Sequence, residues 1–320
     1  MAENSAIEWT DSTVNFWWGC TKVGPGCDHC YAETWSKRTG ENVWGPGVPR
    51  RKIKGAVKLI YKLHNGYSWW SADHHIGRIH ATPRRRVFVQ SMSDLFDKEV
   101  DEDWFTEAWE AITACDRLQI QIVTKRVSFV EKRLTGRAWP QHAGLIISVV
   151  NQDEADRDIS RLIELKRKLG IPWIGLSMEP LLGPVELRPE WLAELDWIIV
   201  GGESGPGARP MHPDWACALR DQCAAAGVPF FFKQFGEWGP DVGPDEDFDR
   251  DGYRRDRIME GAGPCRVLVN GRWQEYRDGY AVPIELCSGH GEFVYRLGKK
   301  RTGRLLDGVE HNGMPEAFHG

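Results

Sequence analysis

Long apolar runs are absent from this chain of 320 residues. No stretch approaches the roughly 18 consecutive apolar residues that a membrane-spanning helix needs, so we predict no membrane span. Residues 1–13 are polar and contain no apolar signal segment, which predicts a cytoplasmic protein. The chain also has no low-complexity region and no internal repeat beyond an alternation of strand-like and helix-like segments. These absences predict an ordinary globular protein.

Cysteine pairs of the kind that close a structural metal site are scarce. The chain has eight cysteines, but the spacing C-x2-C occurs only at Cys27 and Cys30, and Cys20 precedes them to give C-x6-C-x2-C. Disulfides are rare in cytoplasmic proteins, so the cysteines are expected to bind metal or to pack in the core. Three thiolates on one loop, with no obvious fourth ligand, predict a metal site that keeps one coordination position open.

Two metal centres compete for these thiolates. A structural zinc ion needs four ligands, and His29 is the nearest candidate for the fourth. His29 lies between Cys27 and Cys30, however, where binding the same ion would strain the short loop. An iron–sulfur cluster held by three thiolates leaves one iron free for a ligand, and the glycines at 24 and 26 can wrap a bulky cluster. We therefore favour an iron–sulfur cluster over zinc.

From residue 86 onward, apolar strand-like runs alternate with amphipathic helical segments. Near-continuous apolar runs are typical of parallel strands that are buried on both faces. We predict seven strands, near residues 14–18, 86–90, 118–123, 145–149, 173–176, 197–200 and 230–232. This alternation predicts an α/β fold, a partial or complete parallel (β/α) barrel, with an open doubly wound sheet as the alternative.

Two segments interrupt the alternation. We predict a barrel over residues 1–240 that contains an insert at 40–86, and a C-terminal extension over 241–320 with a hairpin at 267–273 and a basic tail. Residues 48–86 hold ten Lys or Arg and a single acid, together with aromatic rings, a combination that predicts nucleic-acid binding. The alternative is that the insert pairs with the acidic residues at 245–251. The candidate nucleic-acid-binding residues are Arg84, Arg85, Arg86, Lys299, Lys300 and Arg304.

Polar side chains follow every predicted strand. The loops after the strands of a parallel barrel meet on one face and hold its functional groups. Each such residue alone could be a helix cap or part of a loop salt bridge. The candidates at these positions are Cys20, Cys27, Cys30, Ser91, Ser93, Asp94, Lys125, Arg126, Ser148, Asn151, Glu179, Gly201, Gly202, Glu203, Ser204 and Lys233. Their convergence on one face is the sequence signal of a site.

Ten segments of the chain, spread over nearly its whole length, carry a resemblance to a known family. They are residues 18–22, 25–27, 30–33, 91–96, 124–126, 179–183, 200–205, 232–234, 298–300 and 303–308. The cysteine segments resemble those of the radical S-adenosylmethionine (SAM) enzymes. The full set resembles more closely a phage-associated family of radical-SAM-like proteins of unknown function. In radical SAM enzymes the usual gap between the first two cysteines is three residues, and here it is six.

The resemblance implies a fold, two cofactors and a reaction. It implies a barrel of the radical SAM type, a [4Fe-4S] cluster on Cys20, Cys27 and Cys30, and SAM bound at the open iron. An external one-electron donor would reduce the cluster, and the radical from cleaved SAM would abstract hydrogen from a substrate. The cofactor-binding residues would be His29, Tyr31, Ser91, Ser93, Asp94, Lys125, Arg126, Ser148, Asn151, Gly201, Gly202, Glu203 and Ser204. Glu179 and Lys233 would orient the substrate or move protons.

The resemblance and the basic insert together imply a substrate class. We expect a nucleobase, a nucleotide or a nucleic acid, DNA or RNA, and a phage-encoded enzyme would act in the host cytoplasm. Two alternatives stay open: a radical SAM enzyme acting on a small metabolite or peptide, and a non-catalytic, metal-stabilised nucleic-acid-binding protein. The sequence makes no prediction of the oligomeric state.

Overall fold

The structure is a computed structural model. It describes residues 1–66, 70–73, 78–81, 83–240, 265–269, 272–276 and 293–318. Within these ranges no helix is long and apolar enough to cross a membrane.

Strands and helices alternate along most of the described chain. The strands are β1 (Ser12–Val14), β2 (Trp17–Trp18), β3 (Arg51–Lys52), β4 (Trp70–Asp73), β5 (Arg78–Ala81), β6 (Arg85–Val89), β7 (Leu118–Thr124), β8 (Ala143–Ser148), β9 (Ile174–Met178), β10 (Trp197–Gly201), β11 (Phe230–Gln234), β12 (Trp238–Gly239), β13 (Cys265–Val269), β14 (Arg272–Tyr276), β15 (Phe293–Arg296), β16 (Leu305–Leu306) and β17 (Val309–Glu310). The α-helices are α1 (Tyr31–Arg38), α2 (Ala56–Asn65), α3 (Glu102–Ala114), α4 (Val130–Leu134), α5 (Gln152–Leu169), α6 (Pro189–Leu192), α7 (Pro213–Ala226) and α8 (Lys299–Thr302).

Seven strands form one parallel sheet that curls into a half-barrel. Their order is β1-β6-β7-β8-β9-β10-β11, and every neighbouring pair is parallel. A doubly wound sheet would reverse its strand order at a switch point, whereas here the spatial order follows the chain order throughout. The prediction of a partial (β/α) barrel is therefore confirmed, and the doubly wound alternative is wrong.

The predicted elements agree with the observed ones except at the first strand. That strand was expected near residues 14–18, but only Ser12–Val14 joins the sheet, paired with β6. Trp17–Trp18 turns away and pairs antiparallel with Arg51–Lys52 of the insert. The cysteine loop therefore follows this small hairpin strand. Asn151 and Gly170 cap α5 at its two ends, the latter in the left-handed conformation.

The sheet is buried on both faces, as the apolar runs predict. On β10, Ile198 and Val200 belong to the large core beneath the helices, while Trp197 and Ile199 belong to a second core on the opposite face. A Cβ atom at Gly144 would lie 1.9 Å from the Trp173 ring, so only glycine leaves room for this indole.

Buried cysteines and the C-terminal residues contribute to these same two cores. Cys115 and Cys223 are fully buried, as predicted for core cysteines, whereas Cys217 is half-buried. Near the C-terminus, Phe318 packs in the second core, and the Trp197 Nε1 donates to the Gly313 carbonyl at 2.8 Å. The last described residues thus return to the barrel, while the domain boundary near residue 240 stays a prediction.

A smaller antiparallel sheet follows the barrel, in the order β12-β15-β13-β14. Its β13 and β14 pair from Cys265↔Tyr276 to Val269↔Arg272. The predicted turn residues Asn270 and Gly271 lie outside the described residues, as do the acids at 245–251 that were the alternative partners of the insert.

Candidate functional site

The carboxyl ends of the parallel strands enclose a cavity of about 540 Å³, which we call the strand-end cavity. It is lined by most of the predicted site residues, namely Cys20, Cys27, His29, Cys30, Tyr31, Ser91, Ser93, Asp94, Lys125, Arg126, Ser148, Glu179, Gly202, Glu203, Ser204 and Lys233. Lys299, an exposed residue at the start of α8, lines it too. A cavity of this size at the strand ends of an α/β barrel is the usual place for a ligand.

The cysteine loop is seated closely on the strand ends. Gly19 has φ +105°, and a Cβ atom there would lie 2.2 Å from the Val43 carbonyl oxygen. A Cβ atom at Gly26 would lie 2.8 Å from Cγ1 of Val150, just beyond β8. Only glycine permits both close approaches, so the glycines hold the three cysteines against the cavity.

Arg209 fastens the same loop from the other side. Its guanidinium donates to Oε1 of Glu203 at 2.7 Å and to Oε2 at 2.9 Å. It also donates to the Pro25 carbonyl at 2.9 Å and to Oδ2 of Asp28 at 3.1 Å. One side chain thus joins the loop after β10 to the cysteine loop. Sequence reasoning missed Arg209, because no spacing relates it to residues 25–28.

Arg126 supports the first cysteine. Its Nη2 donates to the Cys20 Sγ at 3.3 Å and to the Thr21 carbonyl at 2.6 Å. Burial raises the pKa of the Cys20 thiol to about 12, and burial also raises the pKa of Cys30. Metal binding to these cysteines must therefore displace protons, and a neighbouring guanidinium stabilises the thiolate that results.

Asp94 joins the ends of two strands. Its Oδ1 accepts from the Thr124 hydroxyl at 2.8 Å and from the Phe96 amide at 2.9 Å. Its Oδ2 accepts from the Lys125 amide at 2.9 Å. Both carboxylate oxygens are thus engaged by protein donors, so the structure uses Asp94 to fix the exit of β7 beside that of β6.

The predicted serines after β6 are held by two residues that sequence reasoning missed. Asn15 donates to the Ser91 hydroxyl at 3.0 Å, and Gln90 donates to the Ser93 hydroxyl at 2.8 Å. Gln90 has φ +68°, unusual for a residue other than glycine, and its side chain also accepts from the Phe16 amide. The Tyr31 hydroxyl donates to the Ser91 carbonyl, which ties α1 to this loop.

Two lysines bring positive charge to the cavity wall. The Lys125 Nζ donates to the Ser148 hydroxyl at 2.9 Å. The Lys233 Nζ lies 2.5 Å from Oε1 of Glu179. Gln234 donates to the Ser204 hydroxyl, and its own Oε1 is buried without a hydrogen-bond partner among the described residues. The wall therefore carries the Lys125 ammonium, the Glu179–Lys233 ion pair and a buried amide oxygen that the described residues leave unsatisfied.

Two predicted cofactor residues lie beside the cavity and do not line it. The Asn151 side chain accepts from the Glu154 amide at 3.0 Å as the cap of α5, and its role at the cofactor stays a prediction. A Cβ atom at Gly201 would lie 3.5 Å from Glu179 and 3.4 Å from Lys233, so Gly201 leaves room for that ion pair.

The predicted nucleic-acid-binding arginines are placed elsewhere. Arg85 and Arg86 begin β6, at the edge of the sheet opposite the cavity, and Arg84 precedes them. Arg86 forms a bidentate ion pair with Asp11, and Arg85 donates to the Ser12 hydroxyl at 2.8 Å. Arg85 and Arg86 thus hold the N-terminal segment to the sheet, away from the cavity, and the role of the three arginines in binding nucleic acid stays a prediction.

The other basic residues differ in how far they are exposed and in what they contact. Arg304 packs over the Phe231 ring at 5.0 Å and donates to Asn312, and its role in binding nucleic acid stays a prediction. Lys300 is exposed beside Lys299. In the insert, the side chain of Arg50 is only 1% exposed and pairs with Asp97. The insert is therefore less available as a cationic surface than its composition predicts.

No three His, Cys, Asp or Glu side chains within the described ranges are grouped so that they could hold a metal ion. All three loop cysteines are free thiols. Their chemistry nevertheless suits an iron–sulfur cluster, because soft thiolates are the ligands that such clusters take.

Comparison with known proteins identifies one family. The family described as a protein of unknown function, DUF5131, matches residues 4–315. No curated protein matches the chain. Two solved structures of spore photoproduct lyase align with it. A mutant with bound AdoMet and dinucleoside spore photoproduct has 13% identity and a TM-score of 0.37, over 84% of this chain and 68% of that one. A complex with dinucleoside spore photoproduct has 12% identity and a TM-score of 0.40, over 88% and 72%.

Proposed function

The chain belongs to the DUF5131 family, whose function is unknown, and we propose that it is a radical SAM enzyme acting on a nucleobase, nucleotide or nucleic acid. One observation carries the proposal. Three cysteines of one loop line the same cavity as the Glu179–Lys233 ion pair, at the carboxyl ends of a (β/α) half-barrel. This arrangement combines soft metal ligands, paired titratable groups and space for a ligand, which are the components of a catalytic site.

The cysteine loop suits a [4Fe-4S] cluster on Cys20, Cys27 and Cys30. The loop is held on both sides, by Gly26 against Val150 and by Arg209, so its three thiolates face the cavity from a fixed backbone. When bound, the cluster supplies the electron that cleaves SAM and so generates the hydrogen-abstracting radical. An external one-electron donor has to deliver that electron.

The side chains around the cavity then have separate tasks. Arg126 donates to the Cys20 sulfur and so stabilises the thiolate form. Lys125, fixed by Ser148, offers a cation to the SAM carboxylate. His29 and Tyr31 supply rings at the cavity wall.

Glu179 and Lys233 face the same space and are the candidate substrate-directed pair. A carboxylate and an ammonium 2.5 Å apart can exchange a proton, and either can hydrogen-bond a polar substrate group. Lys299 adds an exposed cation at the cavity wall and suits a phosphate-bearing substrate. We therefore favour a nucleotide-type substrate over a small metabolite or a peptide.

Anaerobic reconstitution with iron and sulfide tests the cofactor assignment. The wild-type protein should bind both and form 5′-deoxyadenosine from SAM with dithionite, and Cys27→Ala should do neither while staying folded. Cys217→Ala is the matched control, since Cys217 is also a half-buried free thiol but lies on α7. Undiminished 5′-deoxyadenosine in Cys27→Ala contradicts the ligand assignment. A colourless protein that takes up zinc supports the non-catalytic alternative instead.

Turnover with labelled SAM tests the substrate class. Candidate nucleosides, oligonucleotides and peptides are incubated with the reconstituted enzyme, and products are read by mass spectrometry. Label or mass change in a nucleotide-type compound supports the proposal, and turnover confined to peptides or small metabolites contradicts its substrate part.

A further inference from the structure

A second concavity opens beside the strand-end cavity. This outer groove has a volume of about 670 Å³, and its walls include Trp18, His29, Tyr31, Trp35, Arg38 and Arg51. His29, Tyr31 and Ser204 line both the groove and the strand-end cavity. The two spaces therefore share a wall, and a ligand in the groove lies next to the cysteine loop.

One face of α1 is unusually aromatic for a surface helix. Tyr31, Trp35 and Arg38 stand at positions i, i+4 and i+7, so they lie on one side of the helix. The Tyr31 ring is 58% exposed and the Trp35 ring 52% exposed. Buried packing does not account for these rings, because the residues of α1 that pack inward are Ala32 and Ser36. Large exposed rings grouped at a groove mark an interaction site.

The surroundings of this face carry excess positive charge. Arg38 is exposed and has no hydrogen bond or ion pair to any described residue. Lys22 and Lys37 share one acid, Glu33, at 3.2 and 2.7 Å. These three cations thus face a single carboxylate. Across the groove, the Arg51 guanidinium lies 4.9 Å from the centre of the Trp18 ring and is paired with Glu41.

We infer that the outer groove binds the unpaired nucleotides of a single-stranded nucleic acid. Bases stack on Tyr31 and Trp35, and the phosphates between them lie near Arg38. Stacking rings beside unneutralised cations are the combination that single-strand binding requires, because every base has a π face and every linkage a negative charge. A peptide or apolar partner would not need the surplus cations.

The inference rests on the proposed function for its substrate class and adds the place where the strand lies. Tyr31 and His29 line both the outer groove and the strand-end cavity. A strand held in the groove therefore has an unstacked base beside the strand-end cavity. Extruding a base from the stack is how enzymes gain access to its atoms. The groove includes Arg51 of the basic insert but not Arg85 or Arg86, which begin β6 at the opposite end of the strands.

Fluorescence anisotropy of labelled oligothymidylate and oligouridylate, titrated with the full-length protein at low salt, tests the inference. We expect Trp35→Ala to weaken binding by about tenfold or more, since one stacked base is lost. Arg38→Glu should weaken it severalfold and flatten its salt dependence. The controls are Tyr61→Ala and Lys58→Glu, which change an exposed ring and an exposed cation of α2 outside the groove. Both should bind like the wild type.

The outcomes distinguish the proposal that the groove binds a single strand from the proposal that the protein cleaves SAM. Loss of affinity in the groove variants, on whichever strand binds, supports the groove and identifies the preferred sugar. Binding of neither strand, or equal binding by Trp35→Ala and wild type, overturns it, and a peptide or protein partner would then be the better occupant. SAM cleavage is measured on the same preparations. Normal cleavage without strand binding overturns the groove alone, and Trp35-dependent binding without any cleavage overturns the enzymatic proposal alone.

Discussion

Lys233 and Glu179 form an ion pair of 2.5 Å that spans one strand of the sheet. Glu179 follows β9 and Lys233 lies in β11, and β10 runs between them. Gly201, at the end of β10, lies beneath the pair, where a Cβ atom would come within 3.4 Å of Lys233. The ion pair therefore lies over the end of the intervening strand, at the wall of the cavity.

Neutralising either partner should affect chemistry more than folding. We expect Glu179→Gln and Lys233→Met each to lower substrate-dependent 5′-deoxyadenosine formation by about 100-fold, the typical size of an acid–base contribution. The two side chains are only 15% and 21% exposed, and removing one leaves the other charge partly buried, so the free energy of unfolding should fall by about 1–3 kcal/mol.

The exchanged pair, Glu179→Lys with Lys233→Glu, is the control for that prediction. It keeps the two charges adjacent, and we expect it to unfold like the wild type but to stay inactive. Activity measurements and thermal melts on the same samples check both parts. Full activity in either single variant would show that the pair is structural only.

Releasing the cysteine loop should be visible in thiol chemistry. Arg209→Gln removes the link between Glu203 and the loop carbonyl of Pro25. We expect Cys27 to react severalfold faster with a thiol reagent, and stability to fall by about 1–3 kcal/mol because charged hydrogen bonds are lost. Arg220→Gln, which removes surface ion pairs to Asp221 and Asp307, should change neither quantity appreciably. An unchanged Cys27 rate in Arg209→Gln would mean that the loop is held by its backbone packing alone.

Among the insert residues whose burial the structure describes, Arg50 is the most deeply buried cation. It donates to Asp97 at 2.9 Å, to Glu99 at 2.5 Å and to the Thr21 hydroxyl at 2.7 Å. We expect Arg50→Met to cost about 3–5 kcal/mol in urea denaturation, because it leaves buried carboxylates without their counter-charge. Its neighbour Arg51 is about half exposed and pairs with Glu41, so Arg51→Met should cost less than about 1 kcal/mol. Similar costs for the two variants would contradict this account of the insert.

The fold could be predicted from the sequence because local signals agreed with the global arrangement. Apolar runs of strand length, separated by helices with clear ends, leave few arrangements other than parallel βα units. For α7, the sequence itself marks both ends, with Pro213 at the start and Gly227 just after the last helical residue. The end of the first strand was predicted wrongly because Trp17–Trp18 pairs with a strand more than thirty residues away, and no local sequence pattern reveals that pairing.

The sequence predicted which residues lie at the candidate site but not which contacts their side chains make. Strand ends must converge, so Cys20, Glu179 and Lys233 could be placed on one face from topology alone. Which side chains face the cavity and which serve as caps depends on short-range hydrogen bonds, as at Asn151. The number of cations available at the surface was overestimated for a related reason. Composition counts Arg50 and Arg86 as available cations, but each is held by a carboxylate.

His142 predicts a pH dependence of stability. Its ring is buried, and Nε2 lies 2.9 Å from the Ile112 carbonyl oxygen. Burial lowers the pKa of His142 below its ordinary value of 6.5, so the native state holds the ring neutral. Below pH 6.5 the unfolded chain takes up a proton that the native chain resists. The contribution of neutral His142 to the free energy of unfolding is therefore fully present above pH 6.5 and is lost as the pH falls.

Urea denaturation between pH 7.5 and about pH 5 checks this prediction on wild type and His142→Gln. One proton bound only by the unfolded chain lowers stability by at most about 1.4 kcal/mol per pH unit. The variant should be less stable at pH 7.5, because glutamine fills the buried site imperfectly, but its stability should decline less toward pH 5. Parallel declines in the two proteins would show that His142 binds a proton as readily in the native state as in the unfolded chain. Since the ring lies on the helix side of the sheet at the start of β8, SAM cleavage by the variant at pH 7.5 should match the wild type.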